Sequence, residues 1–168
     1  MSLNAEVAAA AHLTEEQLAG FIIEGTKDVF STMIMMEVAD AYPLAEPLGM
    51  FHCGVTGMVG LAGSYSGILS IHCPPEFAML ATSNMLGMEV TEIGEDVTDA
   101  LGEIANMMGG NIKMALSKGG ADLHLSVPTV ISGEEYTVVA LSDKECVIVP
   151  FTGDGHRFIV GLKLKKES

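Results

Sequence analysis

An α+β fold, with long helices packed on an antiparallel β-sheet, is predicted by the order in which two kinds of periodicity appear along the chain. Three segments carry apolar residues at helical spacing, and the last of them ends near residue 117. Between the first and second lies a Gly-rich apolar stretch, residues 55–73, with a turn signal in its middle. After the third, short apolar runs alternate with turn residues. Helix, hairpin, two helices and then a run of strands is an α+β order with an antiparallel sheet.

Each element has its own signal. Thr14-Glu15-Glu16-Gln17 starts the first helix: Thr14 can cap it, and Gln17 stands where a capping box takes Glu or Gln. The apolar pattern continues through Phe21, Ile22, Val29, Phe30, Met33 and Ile34. The helix is expected to run to about Asp40, where Tyr42-Pro43 forces an extended backbone. Gly63-Ser64 is the turn between paired strands at 58–62 and 67–73. Pro74-Pro75-Glu76 opens a short helix that Gly87 ends. A long third helix is expected from Glu95 to about Ser117, with Lys118 and Gly119-Gly120 as its stop signals. Strands follow at 123–127, 130–131, 136–141, 146–151 and 156–164, separated by Ser132-Gly133 and Gly153-Asp154-Gly155.

A chain of 168 residues suits one domain whose core needs no disulfide or metal staple. Residues 1–168 read as a single domain, with 1–13 a flexible N-terminal extension and 165–168 a tail. Apolar residues make up 49%, but Glu24, Lys27 and Asp28 interrupt the first helix well short of roughly 18 uncharged residues. Neither a membrane span nor a secretory signal is expected, and the chain reads as cytoplasmic. Eight Lys+Arg against 22 Asp+Glu leave a net charge of −14. Binding to phosphate backbones needs a cationic footprint. DNA, RNA and anionic membranes are therefore not expected as partners, and the charge reads as solubility. Three cysteines cannot all pair within one chain and read as reduced thiols.

The third helix carries polar residues that the fold does not need. At roughly 100° per residue, Val97, Leu101, Ile104, Met108, Ile112 and Ala115 form a core stripe. Asp99, Glu103, Asn106, Gly110, Lys113 and Ser117 gather on the opposite side. An amphipathic helix always has a wet side, but this one is flanked or interrupted by Gly102, Gly109 and Gly110. Each interior glycine costs up to about 1 kcal/mol against alanine. What they supply is clearance for another backbone. Glu103 and Asn106, three residues apart, project side by side. A carboxylate can pair with a lysine, and an adjacent amide can orient a water.

Glu103-Ile-Ala-Asn106, within Asp99-Ala-Leu-Gly-Glu-Ile-Ala-Asn-Met-Met-Gly-Gly-Asn-Ile-Lys113, resembles the Glu-x-x-Asn helix of the CheC/CheX/FliY chemotaxis phosphatases, and most closely the CheX branch. Gly63-Ser-Tyr-Ser-Gly-Ile-Leu-Ser-Ile71, Met85-Leu-Gly87 and Ser126-Val-Pro-Thr-Val130 agree, so the resemblance covers roughly residues 20–164. It implies a phosphatase acting on the phospho-aspartate of a CheY-type receiver. Glu103 would pair with the receiver's lysine, and Asn106 would position the attacking water. Hydrolysis of an acyl phosphate needs mainly positioning and charge stabilisation. Asp99, Gly102, Gly110 and Lys113 are candidates for the contact surface. The resemblance implies no cofactor on this chain, with magnesium carried by the receiver. It also implies a homodimer joined through its sheets. CheC-like members carry a second Glu-x-x-Asn in the first long helix. Here the stretch is Glu24-Gly-Thr-Lys27, so one site per chain is expected. A receiver-binding or dimerising module without turnover is the competing reading, and a purely structural domain is the third.

Other residues fit ordinary roles. His52-Cys53 and His72-Cys73 repeat, but neighbours on a strand point to opposite faces, and zinc spacings differ. Core thiols and edge histidines are expected instead, with no metal site. Of the twelve methionines, Met33 and Met108 fall in apolar helical patterns and are expected in the core, while Met107 stands where it could rim a receiver contact. The lysines of 163–166 read as a solvated terminus.

Overall fold

The first helix, α1, spans Glu15–Val29 and starts as the capping pattern requires. The Gln17 N–H donates to Thr14 Oγ1 at 3.1 Å, and the Thr14 N–H donates back to Gln17 Oε1 at 2.8 Å. The structure, a computed structural model, describes residues 14–44, 52–117, 122–137 and 146–166. The expected run of α1 to Asp40 is not found. The helix widens into a π-helical turn at Phe30–Ile34 and stops at Met35, whose φ of 55° is left-handed. The wider turn shifts the helical phase. Ile34 is buried, whereas Met33 is 41% exposed and does not fill the core as expected.

Strand β1 (Ala39–Asp40) is followed by the hairpin of β2 (His52–Gly63) and β3 (Tyr65–Cys73), which is longer than its apolar runs predict. Helix α2 (Pro75–Leu86) has Pro at its first position and ends at Gly87 with φ 68°. Helix α3 spans Glu95–Ser117 as expected, although its predicted stop signals at 118–120 lie outside the described residues. Then come β4 (Leu123–Leu125), β5 (Thr129–Thr137), β6 (Cys146–Gly153) and β7 (His156–Lys166).

Two strand expectations are corrected. Ser132-Gly133 is not a turn. β5 runs through it beside β2, and the misfit is absorbed as a register shift opposite Cys53 and Val55. The strand predicted at 136–141 is the end of β5 at its start and lies outside the described residues from 138. β7 takes in Lys165 and Lys166, which pair with Ser66 and Tyr65, so these two residues of the expected tail belong to the sheet. Asp154 and Gly155 do form the predicted turn. Both have positive φ, 50° and 81°, which suits a two-residue hairpin between β6 and β7.

The strands form one antiparallel sheet in the order β1-β6-β7-β3-β2-β4, with β5 also on β2. Alternate residues of the strands, among them Val55, Val59, Leu69, Ile71, Val147, Val149, Val160 and Leu162, join the buried side chains of the helices in one core. Phe30, Phe77, Phe151 and Phe158 stack there with centroids 4.6–5.8 Å apart, tying the π-helical turn and α2 to β6 and β7. On the other face a smaller cluster joins Cys146, Ile148 and Ile159 with Leu44.

His72 is not an edge residue but is buried in central β3. Its Nδ1 is 3.1 Å from Thr56 Oγ1 and its Nε2 is 2.8 Å from Ser70 Oγ. Burial lowers its pKa to about 4, which keeps the ring neutral. Among the described residues no group of three His, Cys, Asp or Glu is placed to hold a metal ion. The side chains of His52 and Cys53 lie outside the described part of the structure.

Candidate functional site

Helix α3 lies over β2 with its core stripe inward: Val97, Leu101, Ile104, Met108 and Ile112 are all buried. The opposite arc forms a ridge. Asp99, Glu103 and Ser117 are exposed on it, and Asn106, Gly110 and Lys113 are half-buried. Glu103 and Asn106 stand side by side near its middle. Among the described residues, no hydrogen bond or ion pair engages the Glu103 carboxylate, the Asn106 amide or the Lys113 ammonium group.

The glycines of α3 divide into two kinds. A Cβ on Gly109 would lie 2.7 Å from Val59 Cγ1, so this glycine lets the helix settle on its own sheet. Gly57 of β2 complements it, since a Cβ there would meet the Leu101 carbonyl at 2.8 Å. Gly102 is buried beneath Pro128 and Val130, 3.6–4.0 Å from where its Cβ would be. The clearance at Gly102 and Gly109 is thus occupied within the chain, which removes Gly102 from the accessible contact surface. Gly110 is different: a Cβ there would meet nothing within 4 Å.

The ridge has two flanks. On one, the segment joining β4 to β5 packs beside the row of Gly102 and Gly109. On the other, Asn111 donates from Nδ2 to the Gly25 carbonyl of α1 at 3.3 Å, fixing the two helices together. A Cβ on Gly25 would stand 3.2 Å from Asn111 Cβ, so this approach too depends on glycine. The sequence did not single out Gly25 or Asn111 for this contact. The packing of α1 on α3 identifies it.

Lys27 occupies the position where a second asparagine would stand in α1. Its Nζ pairs with Asp40 Oδ1 at 3.0 Å, joining α1 to β1. That hydrogen bond, foremost, holds the Asp40 carboxyl below its ordinary pKa. The residue is therefore a surface tie and not half of a second Glu-x-x-Asn pair. A separate hollow of about 350 Å³ lies where the loop before α3 meets its N-terminus, bordered by Glu89, Glu92, Glu95 and Asp96. Its carboxylates repel phosphate, and it does not contain Glu103 or Asn106.

The family described as chemotaxis phosphatase CheX matches residues 55–152, more than half of the chain and the whole of α3. The chain belongs to the CheX family. A curated relative from Thermotoga maritima, the CheY-P phosphatase CheX, is 32% identical over 82 residues, which are 48% of this chain and 53% of the relative. The match thus spans about half the length of that relative. The crystal structure of CheX from Desulfovibrio desulfuricans is 27% identical with a TM-score of 0.78, over 88% of this chain and 99% of that one. The CheX of the CheX–CheY–BeF3–Mg2+ complex from Borrelia burgdorferi shares the fold, with a TM-score of 0.71 at 24% identity, over 89% and 98% of the two chains. Within this CheX-family fold, Glu103 and Asn106 stand together on the exposed ridge. Asp99 and Lys113 lie on the same arc, and Gly110 opens it.

Proposed function

We propose that this chain hydrolyses the phospho-aspartate of a CheY-type receiver, with Glu103 and Asn106 as its catalytic pair. The observation that carries the reading is their placement on a helix ridge with no partner among the described residues. Enzymes of small substrates usually enclose them in a cavity. A polar pair on a ridge suits a substrate that brings its own cleft, as a phosphorylated protein does. The name of the Thermotoga relative, CheY-P phosphatase, and the Borrelia complex of CheX with CheY both support this partner.

The chemistry follows from the residue types. Glu103 pairs with the receiver's lysine and sets the register of the ridge in the cleft. The Asn106 amide has no useful pKa, so it aligns water without removing its proton. The water oxygen bonds to phosphorus as the bond to the receiver's aspartate breaks. The products are the aspartate carboxylate and inorganic phosphate, with the water's protons shared between phosphate and solvent. Magnesium belongs to the receiver in this reading. Positioning of this kind accounts for large rate effects, since a misplacement of about 1 Å can cost about 100-fold. Asp99, Gly110 and Lys113 are assigned to the contact surface around the pair.

We extend the proposal to a cytoplasmic homodimer joined at a sheet edge. The support is the strand order: β1, at the border of the sheet beside β6, is only two residues long, and a short border strand is where a second copy would add its own. Sedimentation tests the dimer. The phosphatase is tested by phosphate release from receivers of the same organism, phosphorylated by a small phosphodonor, with and without this chain. Faster release supports the reading. Binding without acceleration would leave a receiver-binding module.

A further inference from the structure

β4 and β5 pair with the same edge of β2. Leu125 stands opposite Leu61, and Thr129 stands opposite Met58. Three steps along β2 are thus matched by four along its partner, so residues 126–128 form a bulge with one residue in excess. The bulge is held firmly. The Ser126 N–H donates to the Gly60 carbonyl at 2.9 Å, and the Gly60 N–H donates to Ser126 Oγ at 2.8 Å. Ser126 Oγ donates in turn to the Val127 carbonyl at 3.1 Å. Pro128 fixes its own φ and offers no N–H.

This segment runs along α3. Leu125 packs at Gly109 and Pro128 at Gly102, two helical turns apart. Asn106 lies between those two glycines in height, roughly 40° around the helix toward Glu103. Val127, between Leu125 and Pro128, therefore sits at the level of Asn106, and it is 86% exposed. A valine so open serves neither the core nor the sheet. Met114, about two to three turns further along α3, is 65% exposed, so the ridge carries a second open apolar side chain toward its C-terminal end.

We propose that Val127 is a docking contact for the receiver, a specificity-determining residue set on the bulge beside Asn106. The inference rests on the phosphatase reading of the ridge and adds a contact to the same site. A second copy adding a strand is disfavoured here, because the bulge interrupts the ladder and Pro128 removes a donor. A contact already ordered in the free protein loses little conformational freedom on binding.

The test compares the full-length chain with Val127→Ser and Val127→Ile. Two quantities are measured: binding to a same-organism CheY-type receiver activated with beryllofluoride and Mg2+, and phosphate release over a range of phospho-receiver concentrations. We expect Val127→Ser to raise Kd and KM about five- to tenfold, with kcat unchanged, and Val127→Ile to restore both. Unchanged Kd and KM in Val127→Ser would overturn the inference while leaving the phosphatase reading intact. A change in sedimentation with unchanged Kd would also overturn it, by assigning Val127 to a second copy. Binding without turnover, weakened by Val127→Ser, would support the docking contact and remove the catalytic reading. Neither binding nor turnover by the natural chain would overturn both.

Discussion

Adjacent glycines of α3 should respond to the same substitution with opposite signs. Interior helical glycine costs about 1 kcal/mol relative to alanine, so each Gly→Ala change begins with that gain. At Gly110 nothing lies within 4 Å of the new methyl group, and Gly110→Ala should be more stable by about 1 kcal/mol. At Gly109 the methyl group would stand 2.7 Å from Val59 Cγ1, where carbon contacts ordinarily settle at about 3.5–4.0 Å. Val59 is buried and β-branched, so helix and sheet must part by about 1 Å to admit the group. Overpacking costs about 1–3 kcal/mol, and so stiff and buried a neighbour places it at about 2–3 kcal/mol, leaving Gly109→Ala net destabilised by about 1–2 kcal/mol. Urea denaturation should then separate the two variants by about 2–3 kcal/mol. Gly110 also lies on the ridge, so the more stable variant should have a raised KM for the phosphorylated receiver. The reasoning fails if Gly109→Ala is as stable as the natural chain. It also fails if Gly110→Ala gains stability with KM unchanged, since the open glycine would then admit no partner.

Three further outcomes follow from the packing. Gly102→Ala should be tolerated in stability measurements, because its new contacts with Val130 and Pro128 are ordinary in length, 3.6 Å and beyond. His72 titrates near 6.5 when unfolded but only at about 4 when folded, so the unfolded chain binds more protons in that window. Its contribution is full above pH 6.5 and falls by about 3 kcal/mol as pH drops to 4, and the slope should flatten in His72→Gln denaturation curves. The Lys27–Asp40 pair is partly exposed, with 46% and 24% of the side-chain surfaces open. Lys27→Met should therefore cost less than about 1 kcal/mol in denaturation at pH 7 and leave phosphate release unchanged.

What could be read from the sequence was what depends on near neighbours. Thr14 with Gln17, Pro75 with Gly87, and Asp154 with Gly155 each act over a few residues, and those boundaries are found where expected. The amphipathic phase of α3 was legible for the same reason. The π-helical turn was not, because Phe30 is held by Phe77 and Phe158 from distant segments. Ser132-Gly133 has the composition of a turn, but β2 beside it is long enough to keep the chain extended. The role of Gly109 required Val59, fifty residues away, to lie beneath it. Val127 became informative once β4 and β5 were seen to share an edge of β2, which no local pattern encodes.

The central claim is that Asn106 orients the attacking water while other residues of the ridge hold the receiver. Its most direct measurement is Asn106→Ala, assayed for both affinity and turnover with the same receiver. The account predicts that binding to the beryllofluoride-activated receiver persists within a few-fold while phosphate release falls by about 100-fold or more toward the receiver's own rate. Asn106→Ala that accelerates release as well as the natural chain would contradict it.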